Sequence, residues 1–475
     1  MVEGSVLNSE HFSRAGQNNS FIFGSMFFVI VVSFCHGLYS ISGLATFMYQ
    51  KEVFLLTPEF ITLVNGFIDF PWCIKPVFGY AIDTLVMKIS KTKYIIFVTT
   101  TVRFLTLTIM AHFDIPIYLF YIFLSINTIM YLLENIIAEY ILVCMTKDQN
   151  SQEGGMNNQL PIYFGFRAGG SLIGGFFGGR IIKYYGNQTA FMVASFIPFI
   201  LMFAAIIYQE NQRNERAHDR TFKDEFAIMK KLLLRDNVLQ LILFICLINL
   251  TPNFDSLYTF YMTDYLKFST EDLANFSAFA TCCYIIGLVL YYYKLQNINP
   301  KNFYITTNFI LWVINLSFLF VVLEILQNWG INIKLFCLLS QGASTFVAEL
   351  NFMPILAIWC ALCPKNLEGT SITLFTGLLN LSSNSSLYFG SFLMWLIDIT
   401  ETDYHRMWQP VLIQQAYLLI MIVGILFIEF PDPTKVNEEL SHYEDGLEEE
   451  RVSIVNSEKK DEIEEDKQDP RVLAN

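Results

Sequence analysis

"FPWCIKPVFGYAID" occupies residues 70–83, at the end of an apolar stretch long enough to cross a membrane. It places Lys75 between Pro71 and Pro76 and closes on Asp83. On a helix, Pro71, Lys75, Gly79 and Asp83 recur every fourth residue and drift only about 40° per step, so they form one stripe. At about 1.5 Å per residue, Lys75 sits roughly 12 Å along the axis from Asp83. Asp83 is therefore expected at the membrane surface while Lys75 stays in hydrocarbon, where an unpaired charge costs about 2.5–3.5 kcal/mol or more. Such a lysine needs a counter-charge, a loosened carbonyl beside Pro76, or a solute to hold. All three readings stay open at this point.

The rest of the chain makes hydrocarbon the solvent of that stretch. Of its 475 residues, 54% are hydrophobic and only 15% charged, against about 25% charged in soluble domains. About twelve apolar stretches have the roughly 20 residues a span requires, and backbone polar groups in lipid must bond internally, so each is expected to be a helix. The fold class that follows is an all-α integral membrane protein. The net charge of −13 comes mostly from the C-terminal tail, residues 431–475, with 15 acidic and 6 basic residues. That composition is expected to be disordered. The nine cysteines are scattered, and "CALC" at 360–363 has no second pair or nearby histidines, so neither a metal site nor a cofactor is expected. No His-rich cluster or nucleophile–base spacing points to an enzyme, and nothing points to nucleic acid.

Basic residues gather in "KISKTK" (88–93) and in the polar connection 210–236, which holds Arg213, Arg216, Arg220, Lys223, Lys230, Lys231 and Arg235. Excess Lys and Arg marks the cytoplasmic side, so both termini, including the polar stretch 1–21, are expected in the cytosol. The plasma membrane is the default location and an organelle membrane the alternative. The connection 210–236 divides the apolar chain into 22–209 and 237–430, six spans each. Six plus six is the plan of major facilitator transporters, whose solute site lies between the halves near the midplane.

Charges inside spans point to function. Lys75, Glu134, Arg167, Asp255 and Glu349 are the candidates for contact with a solute. Glu134 and Glu139 lie 140° apart on their helix, so one acid is expected to pair with a base and the other to face a cavity, whereas Asn135 and Glu139 share a face. In "GFRAGGSLIGGFFGG" (165–179), Gly170, Gly174 and Gly178 recur every four residues. That spacing strips one helix face and lets another helix approach closely. "LINLTPNFDSLYTFY" (247–261) carries Pro252, which breaks the helical ladder beside Asn253, Asp255 and Tyr258.

"PWCIKPVFGYAID" (71–83), "FRAGGSLIGGFFGG" (166–179), "TPNFDSLYTFYMTDYLKFS" (251–269) and "MPILAIWCALCPKNLEGTSITLFTGLLNLSSNSS" (353–386) together resemble the folate–biopterin transporter family, a branch of the major facilitator superfamily. Ile82 stands where that family usually has serine. The resemblance implies a secondary active transporter that moves folates or pterins by alternating access, with a proton as candidate coupling ion. Another metabolite such as S-adenosylmethionine, or a receptor or scaffold role on the same fold, is the alternative. Gly79, Asp83 and Lys88 then read as part of a gate between the halves. Lys75 or Arg167 would hold a carboxylate of the solute, and an acid an N–H group.

Overall fold

The computed structural model describes residues 25–79, 92–149, 155–208, 222–295, 298–363, 368–399, 404–436, 438–440 and 446. Asp83 and Lys88 lie outside the described residues. Among the described residues every regular element is helical. The N-terminal half contains α1 (Ser25–Glu52), α2 (Pro58–Cys73, resuming over 75–79), α3 (Thr92–His112), α4 (Ile117–Gln149), α5 (Gly155–Tyr185) and α6 (Asn187–Ile207). A linker helix, Phe222–Leu233, leads to α7, broken between Asp236–Asn249 and Asp255–Phe260. The other spans are α8 (Thr270–Leu295), α9 (Pro300–Val322), α10 (Ile333–Leu362), α11 (Glu368–Ile397) and α12 (Trp408–Phe427).

Eight of these helices are long and apolar enough to cross a membrane on composition alone, and α2, α5, α7 and α11 are not among them. These four carry the prolines, glycines and amides of the family-like motifs. Each half buries its own apolar core. One core gathers Val29, Leu132, Ile137 and Leu201, another Met48, Leu107, Phe120 and Phe191, both from α1, α3, α4 and α6. The second half has the equivalents around Phe244, Trp359 and Phe375, and around Leu257, Tyr261 and Met394. Phe196, Ile200 and Phe203, spaced by four and three residues on α6, are exposed. They form the kind of outward apolar stripe that a hydrocarbon solvent favours.

Between the halves the contacts are polar and close. Pro76 has no N–H, so the Trp72 carbonyl four residues back loses its helical partner. Asn380 of α11 donates Nδ2–H to that carbonyl at 3.3 Å. A Cβ on Gly377 would come within 3.0 Å of the Pro76 ring, so the missing side chain lets α11 approach. Within the C-terminal half, the break in α7 is answered by the same helix α11: Asn253 N–H donates to Ser386 O at 3.1 Å, and Gly390 lies so near that a Cβ would sit 2.7 Å from the Asn253 carbonyl carbon. Gln414 of α12 donates to Pro252 O at 3.0 Å.

Structure continues past residue 430, where the composition assigned the chain to its tail. Val436 and Leu440 are buried against Ile228, Met229 and Leu232 of the linker helix, and Arg235 pairs with Glu439 at 2.9 Å. Local charge density misses this because the anchor is two apolar residues set among acids.

Asn380→Leu should leave the Trp72 carbonyl with only its bond from the Ile74 N–H, a loss of about 0.5–1.5 kcal/mol, read as a lower melting temperature of the purified protein in detergent. Adding Pro76→Ala restores the helical N–H and should recover part of the loss. Equal melting of wild type and Asn380→Leu would mean that the carbonyl is satisfied otherwise.

Candidate functional site

A polar network runs along the inner faces of the N-terminal half, and α4 is its spine. Lys75 of α2 is buried and reaches Glu139 of α4 at 2.8 Å. Asn135, one turn earlier, donates to the same carboxylate at 2.7 Å. The Asn135 Oδ1 accepts from Tyr163 at 3.1 Å and from Arg167 Nη1 at 3.4 Å, both on α5. Arg167 Nη2 also donates to the Tyr131 hydroxyl at 3.0 Å. Tyr131 is a hub: its ring lies 4.4 Å from His36, 5.5 Å from Tyr39 and 5.7 Å from Trp72.

Deeper in the half, Arg103 of α3 pairs with Glu134 of α4. His36 Nε2 lies 3.3 Å from the same carboxylate. The guanidinium is held between the rings of Tyr39 and Tyr131, 4.6 and 4.9 Å from their centroids. Arg103 Nε donates to Asn127 at 3.2 Å. The side chains of His36, Arg103 and Glu134 are at most 1% accessible.

Glu134, expected to touch a solute, is sealed with Arg103 and His36. The acid that keeps water access is Glu139, whose side chain is 33% accessible. The 140° between the two acids required a division of roles, but the sequence does not say which acid the α3 arginine meets. Tyr131 was missed among many aromatics. The available signal was its spacing of four residues from Asn135, which puts both on the face shared with Glu139.

The remaining candidates separate. Arg167 is half-buried and donates hydrogen bonds to the neutral Tyr131 and Asn135. Glu349 of α10 is buried beside the Tyr284 hydroxyl of α8, and Arg167 lies within electrostatic reach of that tyrosine. Tyr284 thus links the two, hydrogen-bonded to Glu349 and within reach of Arg167 across the seam. Asp255 is exposed and accepts from Asn253 Nδ2 at 2.8 Å, next to the α7 break. Gly79 faces Thr373 near the start of α11, with a Cβ position 3.7 Å from its methyl group.

Gly170, Gly174 and Gly178 pack α5 onto α1 within the N-terminal half. Cβ atoms there would come within 3.0 Å of Leu38 N, 2.7 Å of Leu38 O and 3.3 Å of Ile41 Cα. Gly175 and Gly179, on the adjoining face, meet Ser277 and Ala274 of α8 in the other half. At that end of the bundle Lys183 and Arg180 reach Glu271 at 2.6 and 3.4 Å. Lys51 pairs there with Asp264 at 2.5 Å. These contacts close the seam between the halves at one end.

Removing either member of the sealed pair leaves an uncompensated charge. Arg103→Met or Glu134→Met alone is expected to cost about 3–5 kcal/mol, while the double replacement should cost much less. The difference is a coupling energy readable from melting of the four proteins, and additive losses would contradict the pairing.

The BT1 family model matches residues 36–449. The folate-biopterin transporter of Synechocystis sp. is 21% identical over 85% of this chain and 82% of its own length. Folate transporter 1 of Plasmodium falciparum is 22% identical over 84% of this chain and 77% of its own. Among solved structures, a D-xylose-proton symporter superposes with a TM-score of 0.65 at 14% identity, covering 88% of this chain and 99% of that one. The nucleoside transporter NupG gives 0.61 at 12% identity over 85% and 98%. Both likenesses concern the fold, which is that of the major facilitators. With a family model spanning nearly all of the described helices, the chain belongs to the BT1 family.

Proposed function

We propose that this chain carries a folate- or pterin-like solute between its two halves, with Arg167 as the anchor for the anionic end of the solute. The chain is a secondary transporter of a small solute, and its substrate class is the reading argued here. The observation that carries it is the charge balance of the network. Lys75 is matched by Glu139 and Arg103 by Glu134, whereas Arg167 has hydrogen bonds to neutral groups. Among the described residues Lys75 and Arg167 share the single carboxylate of Glu139, which pairs with Lys75 and lies within electrostatic reach of Arg167. This leaves a net positive charge for an incoming carboxylate, and guanidinium suits bidentate carboxylate geometry. Trp72 and Tyr131, 5.7 Å apart at the same level, offer aromatic faces for a flat heterocycle. The relatives named as folate and folate-biopterin transporters support the same chemistry.

Both termini are placed in the cytosol, and the multi-pass bundle in the plasma membrane or an organelle membrane. The end latched by Lys51–Asp264 and Lys183–Glu271 then faces away from the cytosol, and the described state is closed on that side. Alternating access requires those pairs to part and the α5–α8 seam to slide over its glycines. A proton is the candidate coupling ion, with Glu139 and Glu349 as the carboxylates that reach the seam.

The test is uptake of radiolabelled folate, biopterin and S-adenosylmethionine into proteoliposomes holding the wild type, Arg167→Ala or Arg167→Lys. Wild type should accumulate folate or the pterin. Arg167→Ala should cut folate uptake at least tenfold, Arg167→Lys less, and biopterin, which has no carboxylate, should be the least affected. Equal losses for folate and biopterin would remove the anchor role, and wild-type protein that moves none of the three would overturn the substrate class.

A further inference from the structure

We propose a second subsite at the seam between α2 and α11, in which Asp69 and Asn384 bind a monovalent cationic group, either an alkali ion or a protonated amine. Gly66, Asp69, Cys73 and Pro76 fall within about 80° of one another on α2 at 100° per residue. The structure fixes which way that face points. A Cβ on Gly66 would lie 2.8 Å from the Tyr388 ring, and Pro76 packs on Gly377, both on α11. Asp69 is therefore on the seam side of its helix, yet its side chain is accessible to water. No cationic side chain pairs with it among the described residues.

Asn384 of α11 is the independent observation. It is 5% exposed, and its carboxamide sits beside the Cys73 thiol and the Tyr388 hydroxyl. Its Oδ1 receives no hydrogen bond. A buried amide oxygen without a donor is rare and calls for an explanation. Asp69 lies within electrostatic reach of the same thiol and hydroxyl, so a carboxylate, an amide oxygen and a phenolic oxygen gather at one place on the seam. Hard monovalent cations and ammonium groups are what oxygen acceptors of this kind hold. Arg167 lies on α5 and takes the opposite charge, so the two subsites together would suit a zwitterionic solute, or an anionic solute moved with a cation. The role of the subsite rests on the transport reading above, but its existence does not.

The experiment is binding by the purified full-length protein in detergent, with sodium chloride or methylammonium chloride replacing choline chloride at constant ionic strength. At least one of the two should raise the wild-type melting temperature by several degrees. Sodium alone identifies an ion site, and methylammonium alone an amine subsite. Asp69→Asn should abolish the shift, and Asp69→Glu should retain part of it. A second measurement needs no variant: the bound cation should slow alkylation of Cys73, followed by peptide mass spectrometry, at least threefold. A wild type with no shift and no protection of Cys73, or an Asp69→Asn protein with the full shift, overturns the subsite. Neither readout uses transport, so failure of the folate assay leaves this result standing, and the reverse also holds.

Discussion

The Trp72 carbonyl, stripped of its helical partner by Pro76, decides how the two halves meet. In water a free carbonyl would be hydrated. In hydrocarbon it must find protein donors, and it takes the Ile74 N–H at the helix end and the Asn380 amide from the other half. That demand brings α11 against α2 at one register, with Gly377 admitting the proline ring. The α7 break uses the same helix a few turns on, through Ser386 O and Gly390. α11 is thus a strip of amides, hydroxyls and glycines serving two broken helices, and this is why its hydropathy falls below that of an ordinary span.

Charge obeys the same rule one layer in. Arg103 is fully buried, tolerated because Glu134 neutralises it, Asn127 takes one N–H and two tyrosine rings cover its faces. Lys75 follows the same logic with Glu139 and Asn135, though at a site that water reaches. The sealed pair fixes the packing of α1, α3 and α4, and thereby holds Tyr131 where its hydroxyl meets Arg167. The Arg167 edge of the network is thus positioned by a part of it that is sealed from solvent.

Much of the fold was legible because lipid leaves few options: apolar length gives spans, spans give helices, and the polar connection halfway gives two halves. The glycine periods of α5 announced close approach, though not that Gly170, Gly174 and Gly178 face α1 while Gly175 and Gly179 face α8. The site was legible only by residue type. Helical angles said that Glu134 and Glu139 must part company, but the choice between them depends on Arg103, which lies 31 positions from Glu134 in sequence. Asn380 was hidden for a related reason: an amide in a Ser/Asn-rich helix carries no sign of the proline it serves 304 residues earlier. Pairings across helices are tertiary facts, and no local pattern encodes them.

The two seams differ in a way that suits motion. Along α5 and α8, small residues meet small residues, and the ion pairs of Lys183 with Glu271 and Lys51 with Asp264 sit where water reaches at least one partner. Water-accessible pairs contribute little net stability, because solvent and salt compete for both charges. A latch of that kind closes the end of the bundle and still opens for a modest shift in free energy, as a ligand with different affinities for two states can supply. Along α2 and α11, by contrast, hydrogen bonds from Asn380 and Ser391 to backbone carbonyls join close packing of Pro76 on Gly377 and of Tyr388 on Gly66. In an alternating-access cycle the α2–α11 contact would suit a pivot and the α5–α8 contact a slide.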